Sequence, residues 1–150
     1  MTGQALLPSP VPAVIAVVVH EGRTLLVRRA NPPDAGLWGF PGGRIEYGET
    51  VSVAALRELE EETSVRADAR EVITTLDILD RGQDGTLRHH FILIAVLCRW
   101  LSGEPEPGDD ALEARWFPIA DLDPDRLPMS ADVEAVARRA EKLLLGGRRP

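Results

Sequence analysis

Apolar residues near the start of the chain fall in short runs broken by charge and glycine. Residues 13–19 (AVIAVVV) are rich in Val and Ile and read as a buried strand. Glu21-Gly22 turns the chain, and residues 24–29 return as a second strand, which predicts a hairpin. Residues 67–80 are predicted to be mostly strand, with Val72, Ile73, Leu76 and Ile78 as the apolar set. RGQDG at 81–85 is a turn. Residues 86–100 form the longest strand candidate, and the near-continuous apolar run HHFILIAVLC predicts cover on both faces. Residues 115–118 make a short strand and 119–122 one helical turn. In the last stretch the period changes to that of a helix. Val133, Val136, Ala137, Ala140, Leu143 and Leu144 give its apolar face, and Gly146 its end. Ser130 is the cap, with Asp132 and Glu134 in the first turn and Arg138, Arg139 and Lys142 late, as the helix dipole prefers.

A second helix follows Gly43, with Thr50 as N-cap. Val51, Ala54 and Ala55 form a narrow stripe of small residues. Glu58, Glu61 and Glu62 continue that stripe, where a plain amphipathic helix would carry Val or Leu. Glu60, Leu56 and Leu59 point away. Like charges at this spacing cost roughly 0.2–0.5 kcal/mol per pair, and their place late in the helix adds a penalty from the dipole. A bound cation would reverse both. Carboxylate oxygens on one face suit a hard dication, Mg²⁺ or Mn²⁺. Arg57 lies four residues before Glu61, the spacing of an ion pair, and Glu49 links the loop to the helix start.

The other candidates are scattered. Arg28 and Arg29 point to opposite faces of a strand, so one reaches solvent or a carboxylate and the other is free to touch a phosphate. Trp38 and Phe40 alternate around Gly39 and serve either as core or as a stacking surface for a base. Gly42-Gly43 lets backbone approach a ligand closely. His89 and His90 are adjacent, hence on opposite faces, and lack the i, i+2 spacing of a strand metal site.

Composition narrows the setting. The 150 residues favour one domain, here 11–146, between a flexible arm at 1–10 and a basic tail at 147–150. Strands on both sides of a central helix, with a terminal helix beyond, predict an α/β fold in which a mixed sheet is covered by helices on two faces. With 17 basic against 24 acidic side chains the net charge is −7, and no basic stripe invites nucleic acid. Residues 1–10 lack a basic leader and the apolar runs are too short to span a bilayer, so no membrane partner is expected. Cys98 is the only cysteine. It reads as a buried core thiol and fits a reducing, cytoplasmic compartment.

Residues 43–65 (GRIEYGETVSVAALRELEEETSV) resemble the Nudix hydrolase signature, G-x5-E-x7-R-E-U-x-E-E-x-G-U with U aliphatic. Gly43, Glu49, Arg57, Glu58, Leu59, Glu61, Glu62 and Val65 match. Ser64 stands where the pattern has its last glycine, a residue that eases the helix end through a left-handed turn. LLVRR and GLWGFPGG before it and EARWFPIADL after it are similar to pieces of MutT-like and ADP-ribose-pyrophosphatase-like members, so the resemblance spans 11–122.

The resemblance implies an α/β/α sandwich with the signature as loop–helix–loop. It implies hydrolysis of a phosphoanhydride in a nucleoside diphosphate linked to another group X. Glu58, Glu61 and Glu62 would hold Mg²⁺ or Mn²⁺ with a carbonyl at Gly42. A water attacks phosphorus in line, hydrogen-bonded by Glu58 or Glu61, while Arg57 orients a catalytic glutamate. A further acid is drawn from the loop before the RWF tryptophan, with Asp109, Asp110 and Glu113 all open. The flanks lean to ADP-ribose or sugar nucleotides as substrates. A proline typical of some ADP-ribose enzymes is missing, its place taken by Leu79 and Asp80, so MutT-like triphosphate hydrolysis stays open. A non-catalytic nucleotide-sugar sensor is the third reading, although such domains lose signature acids that this chain keeps. Homodimers are common among the relatives.

Overall fold

The computed structural model describes residues 7–146. Of the arm expected over 1–10, residues 1–6 lie outside the described residues, as does the basic tail at 147–150, while 7–10 are exposed and irregular. The elements are β1 (Val11–His20), β2 (Arg23–Arg29), β3 (Trp38–Gly39), β4 (Gly42–Arg44), α1 (Val51–Thr63), β5 (Arg66–Arg81), β6 (Leu87–Ser102), β7 (Ala111–Pro118), a 3-10 turn at Ile119–Asp121 and α2 (Val133–Gly146).

β1 is the axis of a mixed sheet. It runs parallel to β6 from Val11↔Phe91 to Val19↔Arg99, and β6 is antiparallel to β5. On its other edge the expected hairpin forms, but β1 and β2 pair only at Val19↔Thr24 and His20↔Arg23. Beyond that the two strands diverge. β4 takes over the edge of β1 at Ala13 to Ile15, and β3 takes that of β2 at Val27 and Arg28. β7 lies along the far edge of β2. The divergence opens the sheet where the glycine pair lies. A Cβ on Gly42 would stand 2.1 Å from the Val14 carbonyl oxygen, so only glycine lets β4 approach β1 this closely.

Alternation along β1 builds two cores. Val14, Ala16 and Val18 pack with Leu25, Ala54, Ala55 and Leu59 under α1. Val17 and Val19 pack with Leu26, Trp38, Val136 and Ala140 under α2. The sandwich is therefore helix, sheet, helix, as the pattern predicted. Three local expectations are corrected. Leu59 does not point away: it is fully buried, and the core stripe of α1 runs through Ala55, Leu59 and Thr63 with the glutamates beside it. Double cover of β6 is confined to residues 95–98, because its first half runs past the helices and leaves Leu87 and Ile92 exposed. Asp132 stays outside α2, with φ +71, so the helix starts one residue after it.

Ser64 ends α1 in the left-handed conformation, φ +63, and donates its N–H to Glu60 O. The turn that the signature assigns to glycine is thus kept by a residue with a Cβ, at a cost of about 1–2 kcal/mol. Ser64→Gly is expected to raise unfolding free energy by about 0.5–1 kcal/mol, after the entropy that glycine adds to the unfolded chain. Urea denaturation at matched pH reads this directly, and a loss of stability would contradict it.

Candidate functional site

Thr50 Oγ1 accepts the Val53 N–H at 3.1 Å and starts α1 as expected. Two turns on, Arg57 is the hub of the acidic face. Its Nε and Nη2 reach the two oxygens of Glu49 at 2.6 and 2.8 Å. Nη1 reaches Glu58 Oε1 at 2.9 Å and Glu61 Oε2 at 3.2 Å, and Nη2 also meets the Arg44 carbonyl at 3.1 Å. Glu49 in turn accepts the Glu46 N–H at 2.8 Å. The Arg57 guanidinium, helped by that N–H, holds the Glu49 carboxyl down at about 2. So the loop before the helix and the glutamates on it are fastened through one side chain.

The three glutamates differ by their angle around the helix. Glu62 faces closest to the core. Its Oε2 accepts the Gly42 N–H at 2.9 Å. Burial pushes its carboxyl up to about 8; Gly42 and Arg29 pull the other way, while Glu58 and Asp110 add to the rise. Glu58 is raised by burial too, against the pull of Arg57. Its carboxylate lies over bare backbone, for a Cβ on Gly43 would stand 2.5 Å from Oε1. Glu61 is exposed.

The acidic loop is tied down onto the end of α1. Glu106 N–H donates to Thr63 O at 2.8 Å and Gly108 N–H to Glu62 O at 2.9 Å, which satisfies carbonyls that a helix end leaves without partners. That brings Asp109 and Asp110 over the glutamates.

These residues surround one cleft of about 620 Å³, within the ordinary range of ligand sites. Seven carboxylates line it, those of Asp34, Glu46, Glu58, Glu61, Glu62, Asp109 and Asp110, against two arginines, Arg29 and Arg44. Gly42, Gly43 and Phe40 also line it. Arg57 and Glu49 stand behind the carboxylates. Among the described residues no three acidic, histidine or cysteine side chains are gathered round a single ion position. Glu58 and Glu61 are turned to Arg57, and Glu62 to Gly42. The donor set nevertheless fits a hard dication. It is all oxygen, it carries a large negative excess, and its most buried member is destabilised as an anion.

Other expected residues fall elsewhere. Arg28 leaves the cleft and pairs with Glu113 at 2.7 Å, so neither joins the acids. Arg29 is the one of the pair that faces in, its Nε on the Pro33 carbonyl at 2.8 Å. Trp38 does not line the cleft; it is buried in the α2 core with its ring edge-on to Phe117. Cys98 is buried, and burial pushes its thiol up to about 12, as befits a core residue. Arg44 lines the cleft although the sequence reading assigned it no role there, and so does His89, one of a pair read as ordinary strand residues with substrate contact by one of them as the lesser reading. For His89 the signal was available: His89, Phe91 and Leu93 alternate on one strand face.

A sequence profile described as the NUDIX domain matches residues 9–140. An ADP-ribose pyrophosphatase of Methanocaldococcus jannaschii is 34% identical over 113 residues, covering 75% of this chain and 64% of its own length. An oxidized purine nucleoside triphosphate hydrolase of Danio rerio is 31% identical over 116 residues, 77% of this chain and 68% of its own. The crystal structure of the NUDIX domain of Shewanella oneidensis NrtR complexed with ADP ribose superposes with a TM-score of 0.73. It is 26% identical and covers 92% of this chain and 90% of that one. The chain spans between 28% and 64% of the length of three of the curated relatives that it matches. No helix among the described residues is long and apolar enough to cross a membrane.

Glu62 gives a signed expectation for pH. Its folded value, about 8, lies above the ordinary 4.5, so the folded state favours the protonated acid. That stability is complete below about pH 4.5 and is lost as pH rises through 8, on the order of a few kcal/mol. Glutamine does not titrate. Without metal, Glu62→Gln is therefore expected to gain in Tm over the parent progressively between pH 5 and 8. Melting curves in chelator test this; a difference that stays constant with pH would remove the assigned burial.

Proposed function

This chain belongs to the Nudix family, and on that footing we propose that it is a divalent-cation-dependent pyrophosphohydrolase. Its substrate would be a nucleoside diphosphate linked to X, of the ADP-ribose or sugar-nucleotide type. The observation that carries the reading is the set of three glutamates on one helix face, lining a cleft beside the bare backbone of Gly42 and Gly43. The likeness to an ADP-ribose pyrophosphatase and to a domain complexed with ADP ribose supports the substrate class.

A diphosphate would meet seven carboxylates and two arginines in this cleft. Charge alone forbids that encounter unless a cation intervenes. Glu58, Glu61 and Glu62 would hold it, and a bound Mg²⁺ or Mn²⁺ supplies neutralisation of the phosphates and a more acidic water. The protein's own part is positioning. Arg57 fixes Glu58 and Glu61 together, and the Gly42 N–H fixes Glu62. Arg29 and Arg44 offer the cleft's positive charge to phosphate oxygens. Glu61, the exposed member, is the carboxylate we assign to hydrogen-bond the attacking water, with Asp109 and Asp110 close by on the loop. Water adds to one phosphorus, the anhydride bond breaks, and ADP-ribose would leave as AMP and ribose 5-phosphate.

The likeness to an oxidized purine nucleoside triphosphate hydrolase favours a second reading, release of pyrophosphate from a nucleoside triphosphate. A panel of ADP-ribose, sugar nucleotides, dinucleotides and nucleoside triphosphates, run with Mg²⁺ and with Mn²⁺, separates the two. Monophosphate with a sugar phosphate is expected, pyrophosphate would favour the second reading, and no product from any member would sink both. Glu58→Gln and Gly43→Ala are each expected to lower kcat roughly a hundredfold or more. Gly43→Ala acts by pushing the Glu58 carboxylate aside, and full activity in either variant would refute the assignment.

A further inference from the structure

The acidic loop enters β7 through an irregularity in the sheet. β2 and β7 pair rung by rung from Arg23↔Pro118 to Arg28↔Glu113, and then Arg29 meets Ala111. Leu112 is one residue too many on β7, which makes a β-bulge. Side chains directly opposite share a face, and Arg29 lines the cleft. Without the bulge, Leu112 would stand opposite Arg29 and turn the same way. With it, the small Ala111 takes that rung, while Leu112 is exposed and does not line the cleft. Asp109 and Asp110 follow directly on the loop side.

Those two acids have to be held where they are. They approach the negative end of α1, and beyond the effect of burial Asp109 adds to the rise of Glu58 and Asp110 to that of Glu62. Both repulsions push the loop outward. Asp109 also takes φ +48, a region that residues with a side chain rarely occupy. On the α1 side the loop is fastened by the Gly108 N–H to Glu62 O at 2.9 Å. On the β7 side the Ala30 N–H donates to Asp110 O at 3.0 Å, and the bulge follows. The last regular rung before it is Arg28↔Glu113. There both oxygens of Glu113 are taken, Oε2 by Arg28 Nε at 2.7 Å and Oε1 by Arg115 Nη2 at 3.2 Å. None of these three side chains lines the cleft. Half-exposed ion pairs add little to stability. What this one fixes is register, since a slip of one residue would carry Glu113 to the other face.

We propose that Glu113, gripped by Arg28 and Arg115, is a positioning residue: it pins the bulge to Leu112 and so holds Asp109 and Asp110 over the glutamates. This rests on the cation-dependent reading above, in which the loop carboxylates add to the field that retains the dication.

Mn²⁺ binding to the full chain without nucleotide, followed by loss of the free-ion EPR signal, reads the positioning without turnover. Glu113→Ala is expected to weaken Mn²⁺ about fivefold, the scale of a carboxylate acting across a partly aqueous cleft, with Tm nearly unchanged. Asp109→Asn together with Asp110→Asn should weaken it at least as much. Adding Glu113→Ala to that pair should change nothing further, because Glu113 acts through the loop. A bulge depends on the number of residues and not on the side chain. Deleting Leu112 is therefore expected to reproduce the loss, and Leu112→Ala to bind Mn²⁺ as the parent does. If the deletion does not fold, Glu113→Ala and the triple variant carry the test. Unchanged affinity in Glu113→Ala, or a further loss in the triple variant, would overturn the proposal. Hydrolysis by the parent with Mn²⁺ affinity untouched in Glu113→Ala would remove the positioning alone. The expected losses without hydrolysis of any nucleotide would keep the positioning and remove the chemistry, and a parent that binds no Mn²⁺ would sink both.

Discussion

One guanidinium makes the acidic face possible. Five carboxylates, those of Glu46, Glu49, Glu58, Glu61 and Glu62, are brought together by the loop before α1 and the second half of that helix. Arg57 lies within 4 Å of the first four. Glu49 holds it in the two-pronged geometry that carboxylate and guanidinium share. That pairing leaves Nη1 for Glu58 and Glu61. A lysine would offer a point charge without the fork and could not face three carboxylates in fixed directions at once. Arg57 therefore does two things: it offsets repulsion in the fold, and it aims Glu58 and Glu61, two of the acids that the proposed chemistry would use.

The second constraint is steric. β1 is covered on both faces and paired on both edges, so it cannot move to accommodate a ligand. The space of the cleft comes instead from the divergence of β1 and β2, and from glycines where backbone must meet backbone or carboxylate. Gly42 and Gly43 are adjacent and serve different ends. A side chain on Gly42 would collide with the main chain of β1, whereas one on Gly43 would collide with the carboxylate of Glu58. The first protects the sheet and the second keeps the acid in place.

Much of this was readable from the chain alone. The strands followed from Val- and Ile-rich alternation, the helices from the 3.6 period, and the carboxylate face from the spacing of Glu58, Glu61 and Glu62. What could not be read was whatever depends on strand register and on which loop crosses which element. Arg28 and Glu113 are 85 residues apart, and only the pairing of β2 with β7 makes them partners. The placing of Leu59 was missed because a stripe begun at small residues was extended along the acids, while the core continued through Ala55 to Leu59 and Thr63. His89 was set aside as a metal ligand by comparing it with His90, its immediate neighbour. Its real companions are Phe91 on its own strand and Asp80 across the ladder, and the second of these is invisible until the register is known.

The acidic loop completes the electrostatic picture. Its N–H groups at Glu106 and Gly108 take the last carbonyls of α1, which caps the helix but also delivers Asp109 and Asp110 to a helix end that is already negative. Every element there increases the same charge: the dipole, the three glutamates and the loop acids. A structure selected for stability alone would place a basic residue in the last turn of α1, and there is none. The arrangement is costly when the protein is free, and positive charge entering the cleft would relieve it. The stability given up at the end of α1 is thus what the cation of the proposed reaction would recover, and only through it would the anionic substrate proposed here meet a cleft that repels it when bare.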